Sequence, residues 1–340
     1  MNFISIIIEG YLIVAVTIVF ILLRDLKRLK NVSKNNNHYR FKHFYPFYGP
    51  GKVWAVSVII ILMIGIIVGI DSRFFEINHI TIKNTEIQTI SIQQPIKIAW
   101  LTDLQLGNHK KDAWLKKIIN KLDNIKPDLI LLGGDLIDNE GSYENESQYF
   151  EPLKKITNKY PIYYIMGNHE YGVGSASRGH PEWQTGDRSK DLMKKMDEIG
   201  IPLLLNQLEC LNINNQSLCI FGVDDFWAKP IVFDDLKKWD QITPLIFITH
   251  NPDAVQFWPS NTNLPIITLA GHTHGGQVWL PIVKRPLLTA EVDLGFKYYR
   301  GLNYWNNIPI YTSTGLGESG GPVRFCALPE ISVIELIPAN

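Results

Sequence analysis

Five short apolar runs in this chain each end on residues able to coordinate a metal or move a proton. "IAWLT" runs into Asp103, with Gln105 two places on. "LILLG" runs into "GDLID", with Asp135 and Asp138. "IYYIM" runs into "GNHE", with Asn168 and His169. "LIFIT" runs into His250, and "IITLA" into "GHTHGG", with His272 and His274. Taken singly, an Asp at a strand end is a turn or cap residue and a lone histidine is a satisfied structural group. "GHTH" is stronger, because residues i and i+2 of an extended segment face the same side. Five such ends in one chain predict a shared site, since ligands bind at the carboxyl ends of strands in α/β sheets. Glycines beside three of the runs are expected to let the backbone turn tightly.

The order D-x-[H/Q], GD, GNHE, H, GHTHGGQ resembles the calcineurin-like metallophosphoesterase superfamily across residues 95–337, and "GLGESGGPVRF" followed by "PEI" is similar to its membrane-associated bacterial branch. The resemblance implies two packed mixed β-sheets flanked by helices, an α/β fold, with two divalent metal ions at the strand ends. It implies that Asp103 and His274 bind the first metal, with Gln105 in a histidine's place. Asp135 would bridge both metals, and Asn168, His250 and His272 would complete the second. His169 would be the catalytic acid beside the scissile phosphate, and Asp138 would support the ligands from behind.

The chemistry agrees with that assignment. One carboxylate offers two oxygens and so suits a bridge. Two cations about 3.5–4 Å apart clamp the attacking and departing oxygens of a phosphate ester and acidify a bound water, so that a metal-bound hydroxide attacks. Mixed carboxylate, amide and imidazole ligands suit Mn, Fe or Zn, with Mn foremost. Gln105 is the departure. Its amide oxygen is a neutral ligand without imidazole's basicity, which weakens the first position and favours a harder ion.

Strands and helices must position these residues. "INHITIKN" reads as a first strand, "EISVIEL" as a closing strand that alternates, and the five apolar runs together with "IPIYTSTG" as short buried strands. Residues 111–125 carry a helical stripe of Trp114, Leu115, Ile118, Ile119 and Leu122 ended by Pro127, and residues 188–199 form a second amphipathic helix stopped by Gly200. Residues 171–190 read as a long polar loop. Residues 283–305, rich in aromatic and basic residues, follow the last ligand motif and could line a pocket, face lipid or simply pack.

The N-terminal part has another character. Residues 3–23 and 53–70 are apolar runs, the first interrupted by Glu9 and the second free of charge. About 20 residues cross a hydrocarbon core of roughly 30 Å, so both are expected to span a membrane. The segment 24–52 holds eight basic residues against Asp25 alone, which places it in the cytoplasm by the positive-inside rule. The expected organisation is therefore a transmembrane helix over 1–23, a basic cytoplasmic loop over 24–52, a second transmembrane helix over 53–70, a linker leading into a strand over 71–94, and a catalytic domain over 95–340. That domain would lie outside the cell membrane, periplasmic or extracellular. Cys210 and Cys219 fit this reading. If Asn214-Asn215 is a two-residue turn, they stand opposite each other at disulfide range. A disulfide and two buried free thiols both remain compatible, and Cys326 is expected in the core.

Lys+Arg and Asp+Glu both total 33, so the chain has no net charge and nucleic-acid binding is not expected. The expected function is hydrolysis of a phosphate mono- or diester at a membrane surface, with a lipid-linked substrate as one form. Two alternatives stand beside it. One is a pyrophosphatase of the UDP-diacylglucosamine type, whose cytoplasmic substrate conflicts with the topology. The other is a non-catalytic scaffold that retains the fold.

Overall fold

A computed structural model describes residues 73–83, 92–139, 144–174, 186–280, 283–286 and 292–338. The expected spans at 3–23 and 53–70 and the basic loop between them lie outside these. Among the described residues no helix is long and apolar enough to cross a membrane. The unit from Ser72 onward is held together by its own contacts.

Two sheets form this unit. The first contains β1 (Glu76–Lys83), β2 (Ile96–Leu101), β3 (Leu129–Gly133), β4 (Ile162–Ile165) and β13 (Glu330–Ile337), in the order β1-β13-β2-β3-β4. The second contains β5 (Gln207–Ile213), β6 (Gln216–Gly222), β7 (Leu245–Ile248), β8 (Ile267–Ala270), β11 (Gly301–Trp305) and β12 (Ile308–Thr312), in the order β11-β12-β8-β7-β6-β5. Strands β2, β3 and β4 run parallel, as do β6, β7, β8 and β12. The short strands β9 (Trp279–Leu280) and β10 (Arg285–Pro286) pair with each other. Both sheets are therefore mixed, as expected.

The period-2 geometry of a strand sorts the side chains into separate cores. Ile98, Trp100, Leu129 and Leu131 turn inward and pack with Ile220, Ile246, Ile248, Ile267 and Leu269 between the sheets. Ala99, Leu101, Ile130 and Leu132 turn outward, onto α1 (Asp112–Ile125) and α2 (Ser189–Glu198). The predicted stripe Trp114, Leu115, Ile118, Ile119 and Leu122 is the buried face of α1. That helix ends on Lys126 in the left-handed region, one residue before Pro127.

Two expectations change. Strand β13 does not alternate, because its first five residues are all buried. It lies between β1 and β2 with both faces covered, so apolar or hydrogen-bonded residues serve on both sides. Cys326 is only half-buried, beside Trp279 and Tyr299. The hairpin reading holds: Asn214 and Asn215 both have positive φ, Ile213 faces Gln216, and Cys210 faces Cys219. The two cysteines are joined as a disulfide, in place of free thiols.

Candidate metal centre

Strands β2, β3 and β4 of one sheet and β7 and β8 of the other point their carboxyl ends at the same end of the sandwich. There Asp103, Asp135, Asn168, His250, His272 and His274 meet, all buried. Their donor atoms form two groups. Asp135, His250 and His272 make one and Asp103, Asp135 and His274 the other, with the donor atoms of each within 4.8 Å of one another. Asp135 is common to both, which is the arrangement a bridging carboxylate needs.

Distances give each side chain its place. His250 Nε2 lies 3.0 Å and His169 Nε2 3.7 Å from Asp135 Oδ2. His272 Nδ1 lies 3.1 Å from Asn168 Oδ1 and 3.3 Å from His250 Nε2. The Asn168 amide donates its N–H to the Val173 carbonyl at 2.7 Å, so its oxygen faces the centre. His274 Nε2 stands 3.6 Å from Asp103 Oδ1. Gln105 is 2% exposed; its Nε2 donates to Asp135 Oδ2 at 3.3 Å, and its Oε1 has no hydrogen-bond partner among the described residues. A buried orphan acceptor beside a shared carboxylate is what a cation would satisfy.

Backbone carbonyls set the tautomers. Gly133 O lies 2.9 Å from His250 Nδ1 and Gly317 O 3.2 Å from His274 Nδ1. A carbonyl only accepts, so each Nδ1 carries a hydrogen and Nε2 is the nitrogen that each ring turns to the centre. His272 is turned the other way, with Nδ1 inward. His169 Nδ1 is held by the Asp138 carbonyl. Asp138 thus stands behind His169 through its backbone carbonyl, while its carboxylate accepts from Asn108 N.

The chain is bent sharply here. Asp103, Gln105, Asp135, His272 and His274 all have φ between 45° and 70°, unusual for residues with a Cβ. The glycines serve in two ways. Gly134 turns at φ 82°, as expected. Gly167 and Gly271 do not; they let backbone pass against Asp135 and against Thr102 and Asp103, where a Cβ would collide.

Charge is concentrated and buried. Burial raises the Asp103 carboxyl to about 6, with Asp135 adding to the rise and His250 opposing it. Burial also acts upward on Asp135, but the imidazoles of His169 and His250 outweigh it and hold this carboxyl well below the usual range. Burial pushes His250 down, yet the carboxylates of Asp135, Asp103 and Asp225 together more than reverse this and lift it to about 10. His274 falls well below its ordinary value through burial and the neighbouring Arg324. Asp103, Asp135, Glu170 and Asp225 crowd this end as buried acids, and cations compensate such a cluster. The donor set fits divalent metal ions.

Three supports were not singled out from the sequence. Glu170, inside the quoted "GNHE", is fully buried and accepts four backbone N–H groups, from Asp135, Leu136, Ile137 and Gly167. Asp225, at the turn after β6, is raised to about 7 by burial, with His250 opposing. The "GLGESGGPVRF" segment lies under the first position. Leu316 N and Gly317 N donate to Asp103 O, and Arg324 donates to the carbonyls of His274 and Ala327 at 3.3 and 2.8 Å. Behind it, Lys110 Nζ meets Glu318 Oε1 at 2.6 Å, and Glu318 Oε1 lies 3.4 Å from Arg324 Nε. Glu170 and the Gly317–Arg324 stretch lie inside motifs already marked for other reasons, whereas Asp225 and Lys110 lie in none.

Comparison with known proteins accords with this geometry. The calcineurin-like phosphoesterase family model matches residues 96–290. A Helicobacter pylori protein named "Uncharacterized metallophosphoesterase" is 28% identical over 266 residues, 76% of this chain and 64% of that protein, so the chain spans somewhat less than two thirds of that relative's length. Escherichia coli "Phosphodiesterase YaeI" is 29% identical over 72% of this chain and 83% of its own length. The Bacillus subtilis metallophosphoesterase YkuE is 30% identical over 72% of this chain and 80% of its own. With the family model covering more than half of its residues and the ligand motifs in order at the strand ends, this chain belongs to the calcineurin-like phosphoesterase family.

Proposed function

We propose that the chain is a metal-dependent phosphoric ester hydrolase that acts on a phosphate mono- or diester and is held in the cell membrane by two spans, at 3–23 and 53–70, with its catalytic unit outside the cytoplasm. The observation that carries the hydrolase reading is the pair of donor groups sharing Asp135, with the His169 imidazole beside them. Asp103, Gln105, Asp135 and His274 would hold one divalent ion; Asp135, Asn168, His250 and His272 would hold the other. Such ions polarise phosphate oxygens and acidify a water. An amide in place of an imidazole favours Mn over Zn or Fe.

The chain's own residues supply the rest. His169 keeps Nδ1–H on the Asp138 carbonyl, so Nε2 is the atom that carries and donates a proton to the departing oxygen. Glu170 ties the turn after β3 to the loop that carries His169, and Asn168 closes that loop on the Val173 carbonyl. The name of the Escherichia coli relative, a phosphodiesterase, supports a diester, and the apolar N-terminal stretches support a lipid-linked form of it. The Cys210–Cys219 pair supports an oxidising compartment.

The test is hydrolysis of bis(p-nitrophenyl) phosphate by the full chain loaded with Mn. Turnover that disappears in Asp135→Ala and His169→Ala is expected. Absence of turnover with Mn, Fe, Zn and Co alike would instead mark a non-catalytic scaffold. A reporter fused to the C-terminus tests the topology; a cytoplasmic signal would overturn it.

A further inference from the structure

The turn that follows β6 borders the metal centre at His272 and packs against the loop that carries the proton donor. Trp227 is half-buried and packs perpendicular to the His272 imidazole, with ring centroids 4.5 Å apart and planes at 88°. Lys229, two residues on, is exposed. The turn is rigid: Trp227 N donates to Asp225 Oδ1 at 3.0 Å, and Ala228 N and Lys229 N donate to Asp225 O at 3.1 and 2.8 Å. It is also tied to the loop that carries His169. The Tyr171 hydroxyl donates to Asp224 Oδ1 at 2.7 Å, and Lys229 Nζ lies 5.3 Å from the centre of the Tyr171 ring.

This placement has a chemical consequence. A general acid must lie within reach of the oxygen that departs, so the leaving group lies on the His169 side of the phosphorus. The border on that side presents an indole packed against His272 and a lysine ammonium beside Asp224, a carboxylate already bonded by Tyr171. An indole recognises a flat ring by stacking. The ammonium recognises an additional anion as a point charge. A flexible alkyl group would use neither the planarity nor the charge.

We propose that Trp227 and Lys229 form a leaving-group subsite for a nucleotide, with the base against Trp227 and a phosphate beyond the scissile one near Lys229. The proposal rests on the phosphoesterase reading above and extends it to a substrate class. Trp227 and Lys229 position the substrate; neither belongs to the set assigned to metal binding or proton transfer.

Calorimetric titration of the Mn-loaded full chain with ADP, AMP, ribose 5-phosphate and inorganic phosphate tests this, with hydrolysis of bis(p-nitrophenyl) phosphate measured in parallel. AMP is expected to bind about 5- to 100-fold more tightly than ribose 5-phosphate, the range base stacking on an aromatic provides. Trp227→Leu should bring AMP down to ribose 5-phosphate, Trp227→Phe should keep part of the difference, and Lys229→Met should remove the advantage of ADP over AMP. Metal content and inorganic phosphate affinity should not change. Equal binding of AMP and ribose 5-phosphate by the unaltered chain would overturn the subsite. So would a Trp227→Leu variant that weakens all four ligands alike, since Trp227 would then merely buttress His272. Nucleotide binding with no hydrolysis of any ester would leave the subsite standing and overturn the phosphoesterase reading.

Discussion

Glu170→Gln tests how the bridging aspartate is held. The Glu170 carboxylate accepts Leu136 N at 2.6 Å and Ile137 N at 3.2 Å on Oε1, and Asp135 N at 3.0 Å and Gly167 N at 2.7 Å on Oε2. It is fully buried, so water cannot take over these donors. Glutamine has nearly the same shape and leaves no cavity. It keeps one oxygen, however, and must point an N–H at two of the four donors. Two hydrogen bonds to a charged acceptor are lost, each worth about 1.5–3 kcal/mol. The expected loss is about 3–6 kcal/mol, a large part of the roughly 5–15 kcal/mol that holds a domain folded. The cost falls on the turn carrying Asp135, so metal retention should fall with it. Urea unfolding of the full chain in detergent, followed by tryptophan fluorescence, reads the first effect; metal analysis after gel filtration reads the second. A change under about 1 kcal/mol with metal content intact would refute the view that this carboxylate clamps the turn.

Other perturbations probe separate parts. Gln105→His should raise metal affinity at the first position by tenfold or more, and Gln105→Ala should lower it, with the second position unchanged; equal effects on both equivalents in a metal titration would remove Gln105 from the first position. His169→Ala should cut kcat by about 10²–10⁴ while metal content stays constant, because the backbone N–H of His169, which donates to Asp135 Oδ1 at 2.9 Å, survives the change. Burial lowers Lys110 from 10.5 to about 8, against the opposing pull of Glu318. Between these values the unfolded chain holds the proton and the folded chain does not, so this lysine makes stability rise with pH from about 8 to 10.5, by up to roughly 3 kcal/mol. Lys110→Met should flatten that stretch of a stability-against-pH curve; an unchanged slope would contradict the assignment. Replacing Cys210 and Cys219 by serine should lower stability by about 2–3 kcal/mol, the loop-closure value for their separation of 9. An intact-mass measurement showing both thiols free would reject the bond.

Much of the site was legible in linear order. Each ligand lies within a few residues of the end of an apolar run, and a run of four or five apolar residues bounded by turn residues reads as a strand. The Asn214-Asn215 hairpin was equally local: two positive-φ residues between strands fix which residues face each other, and so Cys210 against Cys219. Helix α1 was written in its stripe. Strand β13 was misread as alternating, because whether its second face meets water depends on β1, which joins the sheet from more than two hundred residues away in sequence.

The sequence alone determined which residue types stand at which strand ends, since periodicity and turn chemistry act over a few residues. Only the tertiary structure decided that Asp135 is shared by two donor groups, that His272 turns Nδ1 inward while His250 and His274 turn Nε2, and that Gln105 keeps a buried oxygen without a partner among the described residues. It also decided that Glu170 holds the Asp135 turn and that Trp227 stands against His272. These depend on two sheets packed face to face with their strand ends at one end of the sandwich, and on distances of about 3 Å between side chains far apart in sequence, which no local pattern encodes.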